Sequence, residues 1–267
     1  MIRLVLVCLP AAGSTPISFD LLQRHLIVVR GATGPLEGLK LLIDTGTIPT
    51  IVDRGVAKKL ALDIQEREFV AFGQKTRVGS TVLPEIRFGS LRANGVREGV
   101  GNLSFLNGVD AIVGLDVLSV STFTIDYQHH LLGFGPVVLR DAGVRLELTP
   151  PFLTVRVIIS GQPLRVLVDT GSGRLVLFER RVHDRLPPPS VHGELLLNHL
   201  SGTSRLNRVS LTSLEVGGSS IKCIEGFMSD APLDGYPLDI DGVLGLLVIA
   251  GKRADFDFER NRLAFAQ

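Results

Sequence analysis

A β-rich protein made of two similar halves is what this sequence predicts, on three observations. The 267 residues are 45% hydrophobic, and short runs of Val, Ile, Leu and Thr alternate with Gly-containing turns, a pattern of strands rather than long helices. The tripeptide Asp-Thr-Gly occurs twice, at Asp44-Thr45-Gly46 and Asp169-Thr170-Gly171, each time closing an apolar run, Leu41-Leu42-Ile43 and Val166-Leu167-Val168. Two later blocks repeat as well: 109–115 (VDAIVGL) aligns without a gap to 240–246 (IDGVLGL), and 126–134 aligns to 257–265 at the same offset. Such spacing points to an internal duplication whose variable part lies in the middle of each unit.

Read in order, residues 1–15 hold Arg3, an apolar run over 4–9 and then Pro10-Ala11-Ala12-Gly13. This stretch reads either as a short secretory leader, which would send the protein to the periplasm or outside the cell, or as a plain first strand of a cytoplasmic protein. The first unit is expected over 16–136, a linker over 137–150 bracketed by Pro136 and Pro150-Pro151, and the second unit over 151–267. The clearest strands are 28–29, 41–43, 81–88, 152–159 and 165–168. Helices are few. Residues 53–62 form the best one, with Asp53 as N-cap; residues 178–186, stopped by Pro187-Pro188-Pro189, are its counterpart, and a helical turn follows Gly114 through Leu118.

Composition excludes several roles. With 28 basic and 27 acidic residues interspersed and a net charge of +1, no basic face invites nucleic acid. Only Cys8 and Cys223 are present, so no disulfide framework or Cys-rich metal site is expected, and the six His lack a metal-binding spacing. No metal and no cofactor are called for. About 18 uninterrupted apolar residues, the length of a membrane span, occur nowhere.

The two Asp-Thr-Gly copies carry the chemistry. If the units pack about a twofold axis, Asp44 and Asp169 meet, and two carboxylates at close range cannot both ionise, so they share a proton and titrate in coupled steps. Gly46 and Gly171 can bring backbone N–H groups against the carboxylates. Thr47 and Ser172 offer hydroxyls to their outer oxygens, while Thr45 and Thr170 point to the backbone of the opposite unit. Gly114 and Gly245 suit close packing behind the two loops. Polar turns at Gly73, Gln74 and Lys75 and at Gly202 and Thr203 are candidate flap tips, with an ordinary solvated hairpin as the plain alternative. Asp110 and Asp241 repeat but read as turn caps, as do Asp53, Asp126 and Asp257. Arg174 reads as a cleft residue or a surface ion pair, and Cys223 as core.

The elements Leu42-Ile43-Asp44-Thr45-Gly46-Thr47, Val113-Gly114-Leu115-Asp116-Val117-Leu118, Val168-Asp169-Thr170-Gly171-Ser172 and Asp241-Gly242-Val243-Leu244-Gly245 recur in order in both halves. On these, the chain resembles a retropepsin-like aspartic protease of the bacterial type, duplicated into a single two-lobed chain. The resemblance implies two closed β-barrel lobes of the acid-protease type related by a pseudo-twofold axis. It further implies an inter-lobe cleft that takes a polypeptide in extended conformation, endopeptidase activity of the single chain as a monomer, and hydrolysis by water held between Asp44 and Asp169. One departure narrows it: only Tyr127 and Tyr236 are present, so neither candidate flap carries the Tyr of the pepsin branch. The alternative is a non-catalytic module that holds a peptide by strand addition on the same scaffold.

Overall fold

The computed structural model describes residues 6–8, 15–71, 74–136, 143–149, 152–199, 202–231, 235–237 and 239–266. They form mostly strands. In the first half these are β1 (Leu6–Cys8), β2 (Ile17–Leu22), β3 (Leu26–Thr33), β4 (Leu36–Ile43), β5 (Ile51–Asp53), β6 (Gln65–Ala71), β7 (Gln74–Val82), β8 (Glu85–Phe88), β9 (Leu91–Asn94), β10 (Arg97–Gly101), β11 (Ala111–Val113), β12 (Phe123–Asp126) and β13 (Leu131–Phe134). In the second half they are β14 (Val144–Arg145), β15 (Glu147–Thr149), β16 (Phe152–Ile159), β17 (Gln162–Asp169), β18 (Leu175–Phe178), β19 (Val191–His199), β20 (Gly202–Val216), β21 (Ser219–Ser229), β22 (Gly242–Gly245), β23 (Arg253–Asp257) and β24 (Arg262–Ala266). Three short α-helices, α1 (Arg54–Lys59), α2 (Leu115–Leu118) and α3 (Glu179–Val182), fall at the expected places; α2 has the expected extent, while α1 and α3 are shorter than expected. Asp53 does cap α1, its carboxylate accepting the Gly55 N–H at 2.7 Å.

The unbroken apolar runs before the two Asp-Thr-Gly copies have a direct cause. β4 is buried on both faces: Leu39, Leu41 and Ile43 enter the large central core, while Leu42 packs on the other side with Leu26, Val28, Ile51 and Ile112. β17 does the same, Val166 and Val168 facing the central core and Leu167 meeting Val176, Phe178 and Val243. A strand covered on both faces has no solvent side on which a polar residue would be favoured. Each such side chain contributes roughly 1.5–3 kcal/mol by leaving water. β11 lies parallel to β4 and antiparallel to β5, and β22 lies likewise between β17 and β18.

The halves meet in one shared sheet, in the order β14-β24-β23-β12-β13-β2. β12 and β23 pair antiparallel with Thr124 opposite Asp255, and these two residues are related by the same offset as the repeated blocks on either side of them. A twofold relation between the halves therefore runs through this pair, where the Thr124 hydroxyl donates to the Asp255 carboxylate. Beside it, Phe123 and Phe256 stack with ring centroids 4.5 Å apart. Residues 143–149, expected within the linker, instead form β14 and β15, which pair with β24 and β16. Leu146, buried in the central core, anchors the stretch. Residues 137–142, 150 and 151 lie outside the described residues.

The middles of the two halves differ in detail. In the second half, pairings run β16–β17–β22–β18–β21–β20 and return to β16. In the first half the corresponding long strands are interrupted: the segment expected as one strand over 81–88 breaks at Leu83-Pro84 into β7 and β8, since proline has no N–H for the ladder. The partner strand breaks at Gly95, which is left-handed at φ +64°. In the second half Cys223 takes the position corresponding to Gly95 and adopts φ +54°. It is exposed, not part of the core as expected. A residue with a Cβ pays roughly 1–2 kcal/mol for that conformation, so Cys223→Gly is expected to stabilise the protein by about 1 kcal/mol, read as a higher urea midpoint with an unchanged slope.

Candidate active site

Asp44 ends β4 and Asp169 ends β17, and both loops turn back at once toward the seam between the halves. Four hydrogen bonds interlock them. The Thr45 hydroxyl donates to the Val168 carbonyl at 2.8 Å and accepts the Thr170 N–H at 3.1 Å; the Thr170 hydroxyl donates to the Ile43 carbonyl at 2.8 Å and accepts the Thr45 N–H at 3.0 Å. Both threonines are buried, so each hydroxyl is satisfied by the opposite half alone.

This interlock brings the carboxylates face to face. A methyl group placed on Gly46 would sit 2.5 Å from Asp169 Cγ, and one on Gly171 would sit 2.7 Å from Asp44 Cγ. Only glycine leaves room for each loop to pass the opposite carboxylate. Asp44 is buried and Asp169 half-buried, with their side chains hydrogen-bonded to each other. Burial, the Asp44 charge and that hydrogen bond together push the Asp169 carboxyl well above its ordinary value of 3.8, against the pull of the Gly171 and Ser172 N–H groups.

The supporting residues are not symmetric. Asp44 accepts the Gly46 N–H at 2.8 Å and the Thr47 hydroxyl at 2.6 Å, as expected from the sequence. Asp169 accepts the Gly171 N–H at 2.6 Å, but the Ser172 hydroxyl turns away and donates to the Arg174 carbonyl at 3.2 Å. Ser172 supports the carboxyl through its backbone only. Gly114 and Gly245 lie against the loops: an added Cβ would fall 2.3 Å from the Thr47 carbonyl oxygen and 2.4 Å from that of Ser172.

The difference traces to residues that a reading of motifs passes over. In the first half Thr50, fully buried, gives its N–H and hydroxyl to Asp116, accepts the Gly114 N–H at 2.9 Å and takes the Gly99 N–H on its carbonyl at 2.8 Å. The Leu115 N–H fixes the Thr47 carbonyl at 3.0 Å. At the corresponding places the second half has Leu175 and Leu247, which offer no polar hold, and the serine hydroxyl satisfies a backbone carbonyl instead. His25, in the turn between β2 and β3, reaches the opposite loop, its ring against Gly173. Burial, chiefly, and the nearby Arg174 charge lower its pKa.

Other candidates take plainer places. Asp110 and Asp241 each accept a backbone N–H from a neighbouring strand, Lys40 at 2.8 Å and Arg165 at 2.9 Å, and Asp126 and Asp257 cap the turns that follow them. Arg174 is exposed, 3.9 Å from Glu225 and over the Phe227 ring. Gln74 begins β7 and Lys75 follows it, while Gly202 begins β20 with Thr203 next; each pair sits beside the turn of a β-hairpin. Gly73 lies outside the described residues. The second hairpin is the longer, so the two candidate flaps are unequal. Among the described residues no cluster of three or more His, Cys, Asp or Glu is placed to hold a metal, and no helix is long and apolar enough to cross a membrane.

Residues 155–248 match the family model of aspartyl proteases. That span holds Asp169-Thr170-Gly171 and the block ending at Gly245. Among solved structures, the chain is similar to an inhibitor complex of EIAV protease, at 20% identity over 38% of this chain and 88% of that one with a TM-score of 0.32. It is also similar to a retropepsin-like aspartic protease from Rickettsia conorii, at 16% identity over 50% of this chain and 97% of that one with a TM-score of 0.37. No curated protein sequence matches the chain.

Removing either interlocking hydroxyl leaves a buried carbonyl and a buried N–H of the opposite half unpaired. Thr45→Val and Thr170→Val keep the volume and are each expected to cost about 2–4 kcal/mol of stability, measured by denaturant unfolding. The double variant should cost less than the sum, because both side chains belong to one network.

Proposed function

We propose that the chain is an aspartic endopeptidase with Asp44 and Asp169 as its catalytic pair, built from two copies of one ancestral unit and acting on a polypeptide laid extended between them. The observation that carries this is the direct opposition of the two carboxyls, each at the end of a strand buried on both faces. Their environments divide the labour. Asp169, whose carboxyl holds its proton above the ordinary carboxylate range, is assigned as the acid, and Asp44, which accepts a hydroxyl and an N–H, as the base.

In the forward step Asp44 takes a proton from a water as its oxygen bonds to the scissile carbonyl carbon, and Asp169 gives its proton to the carbonyl oxygen. The tetrahedral diol then collapses: Asp44 passes its proton to the amide nitrogen, Asp169 takes one from a diol hydroxyl as the carbonyl re-forms, the C–N bond breaks, and an acid and an amine leave. No bond to the enzyme forms. The interlocked threonines hold the two carboxyls at fixed separation, so no reorganisation accompanies the proton transfers.

Digestion of a peptide library by the parent, Asp44→Asn and Asp169→Asn proteins tests the assignment. Each substitution is expected to lower kcat by roughly a hundredfold to ten-thousandfold. Cleavage that survives both would remove the pair from the mechanism, and binding of peptides without cleavage by the parent would favour the non-catalytic module. A pH profile gives a second test: because one proton must remain on the pair and Asp169 holds its proton above the ordinary carboxylate range, activity should fall as pH rises through the upper apparent pKa.

A further inference from the structure

Behind the Asp44 loop lies a second pair of acids that the proposed reaction does not use. Glu98, on β10, is fully buried, and neither of its carboxyl oxygens has a hydrogen-bond partner among the described residues. It shares the face of β10 that carries Val100 into the central core. The charged group that acts on it is Asp116, the residue that holds Thr50. Cations on the surrounding elements do not reach it: Arg54, Lys58 and Lys59 of α1, Arg77 of β7 and its own neighbour Arg97 are exposed. Asp53 is engaged in capping α1 and accepting the Leu103 N–H.

The two acids are unequally equipped. Asp116 receives the Thr50 N–H and hydroxyl and backbone N–H groups at 116 and 117. Glu98 receives no donor among the described residues. A bare carboxylate in an apolar core costs several kcal/mol, and more beside another negative charge. In the second half the corresponding position is Gly226, so the scaffold itself does not require an acid there.

We propose that Glu98 and Asp116 act as a proton-dependent positioning pair, in which Glu98 in its neutral form lets Asp116 hold Thr50, and through it the Thr47–Asp44 loop, in register. Loss of the Glu98 proton sets two charges against each other in the core and releases that hold. Burial first, and the Asp116 charge second, push the Glu98 carboxyl well above its ordinary value of 4.5. The native state therefore keeps a proton that the unfolded chain gives up, and the associated stability, complete below pH 4.5, is lost as pH rises toward the folded value. Across that window one proton corresponds to roughly a tenfold loss in the folding equilibrium constant per pH unit.

The link to activity rests on the protease reading; the acid pair itself does not, and the test separates them. Urea unfolding against pH is measured in an Asp169→Asn background, which removes the raised carboxyl of the catalytic pair, with and without Glu98→Gln; Asp116, which burial also raises, is common to both. The Gln variant is expected to lose the Glu98 share of the downward slope above pH 4.5, leaving only the part due to Asp116, and to be the more stable protein at neutral pH. The pH profile of kcat is then compared for parent and Glu98→Gln with Asp169 intact. Where both the catalytic pair and Glu98 have ionised, the parent should fall roughly a hundredfold per pH unit and the variant roughly tenfold. Asp116→Asn, which keeps an acceptor for Thr50 and leaves Glu98 its burial, should end the stability slope at a lower pH and flatten the activity profile, and serves if Glu98→Gln fails to fold. An unchanged stability slope overturns the acid pair. A changed slope with an unchanged activity profile overturns its hold on Asp44, and absence of proteolysis in every protein refutes the protease reading while the stability slopes still decide the pair.

Discussion

Two threonine hydroxyls, each donating to and accepting from the backbone of the other half, are the constraint on which the rest depends. Thr45 and Thr170 lie where water cannot reach, so their groups would be costly orphans if the halves were apart by even an ångström or two. Satisfying all of them at once fixes the ends of β4 and β17 relative to each other, and the carboxyls one residue earlier inherit that fixed separation. The shared sheet and the stacked Phe123 and Phe256 supply the apolar energy that brings the halves together. The interlock supplies the register.

The paired Asp-Thr-Gly copies made the strand ends and the opposed acids legible from sequence, because each tripeptide combines a carboxylate, a short hydroxyl side chain and a glycine where a Cβ would collide. The strands around them were legible because double-faced burial leaves an uninterrupted apolar run. What repeat comparison hides is whatever the halves do differently. Thr50, Asp116 and Glu98 stand opposite Leu175, Leu247 and Gly226, so no recurrence marks them, and their significance comes from burial that only the fold creates. Residues 143–149 looked like a linker because prolines bracket them, yet Leu146 carries enough buried surface to draw the stretch into sheets. Cys223 sits among strand-forming neighbours, and nothing in them announces a left-handed backbone.

The asymmetry has a physical logic. Two carboxyls held this close cannot both ionise freely, and unlike surroundings let one of them hold a proton more readily than the other. The first half spends polar groups in its core to aim the Thr47 hydroxyl at Asp44. The second half fills the same places with leucine, and its serine hydroxyl is consumed locally. Around a common interlock, the first half gives its acid a hydroxyl and an N–H, and the second gives its acid backbone N–H groups alone.

Synthesis runs from the N-terminus, and the seam between β12 and β23 gives that direction a consequence. When the first half has left the ribosome, β12 has no partner on one side, and the Ile43 carbonyl and Thr45 N–H still await Thr170. An open strand edge beside an unfilled apolar face is a site for association with other nascent chains. The short span between β13 and β14 keeps the correct partner tethered nearby, so that intramolecular capture competes well with strangers in a crowded cell.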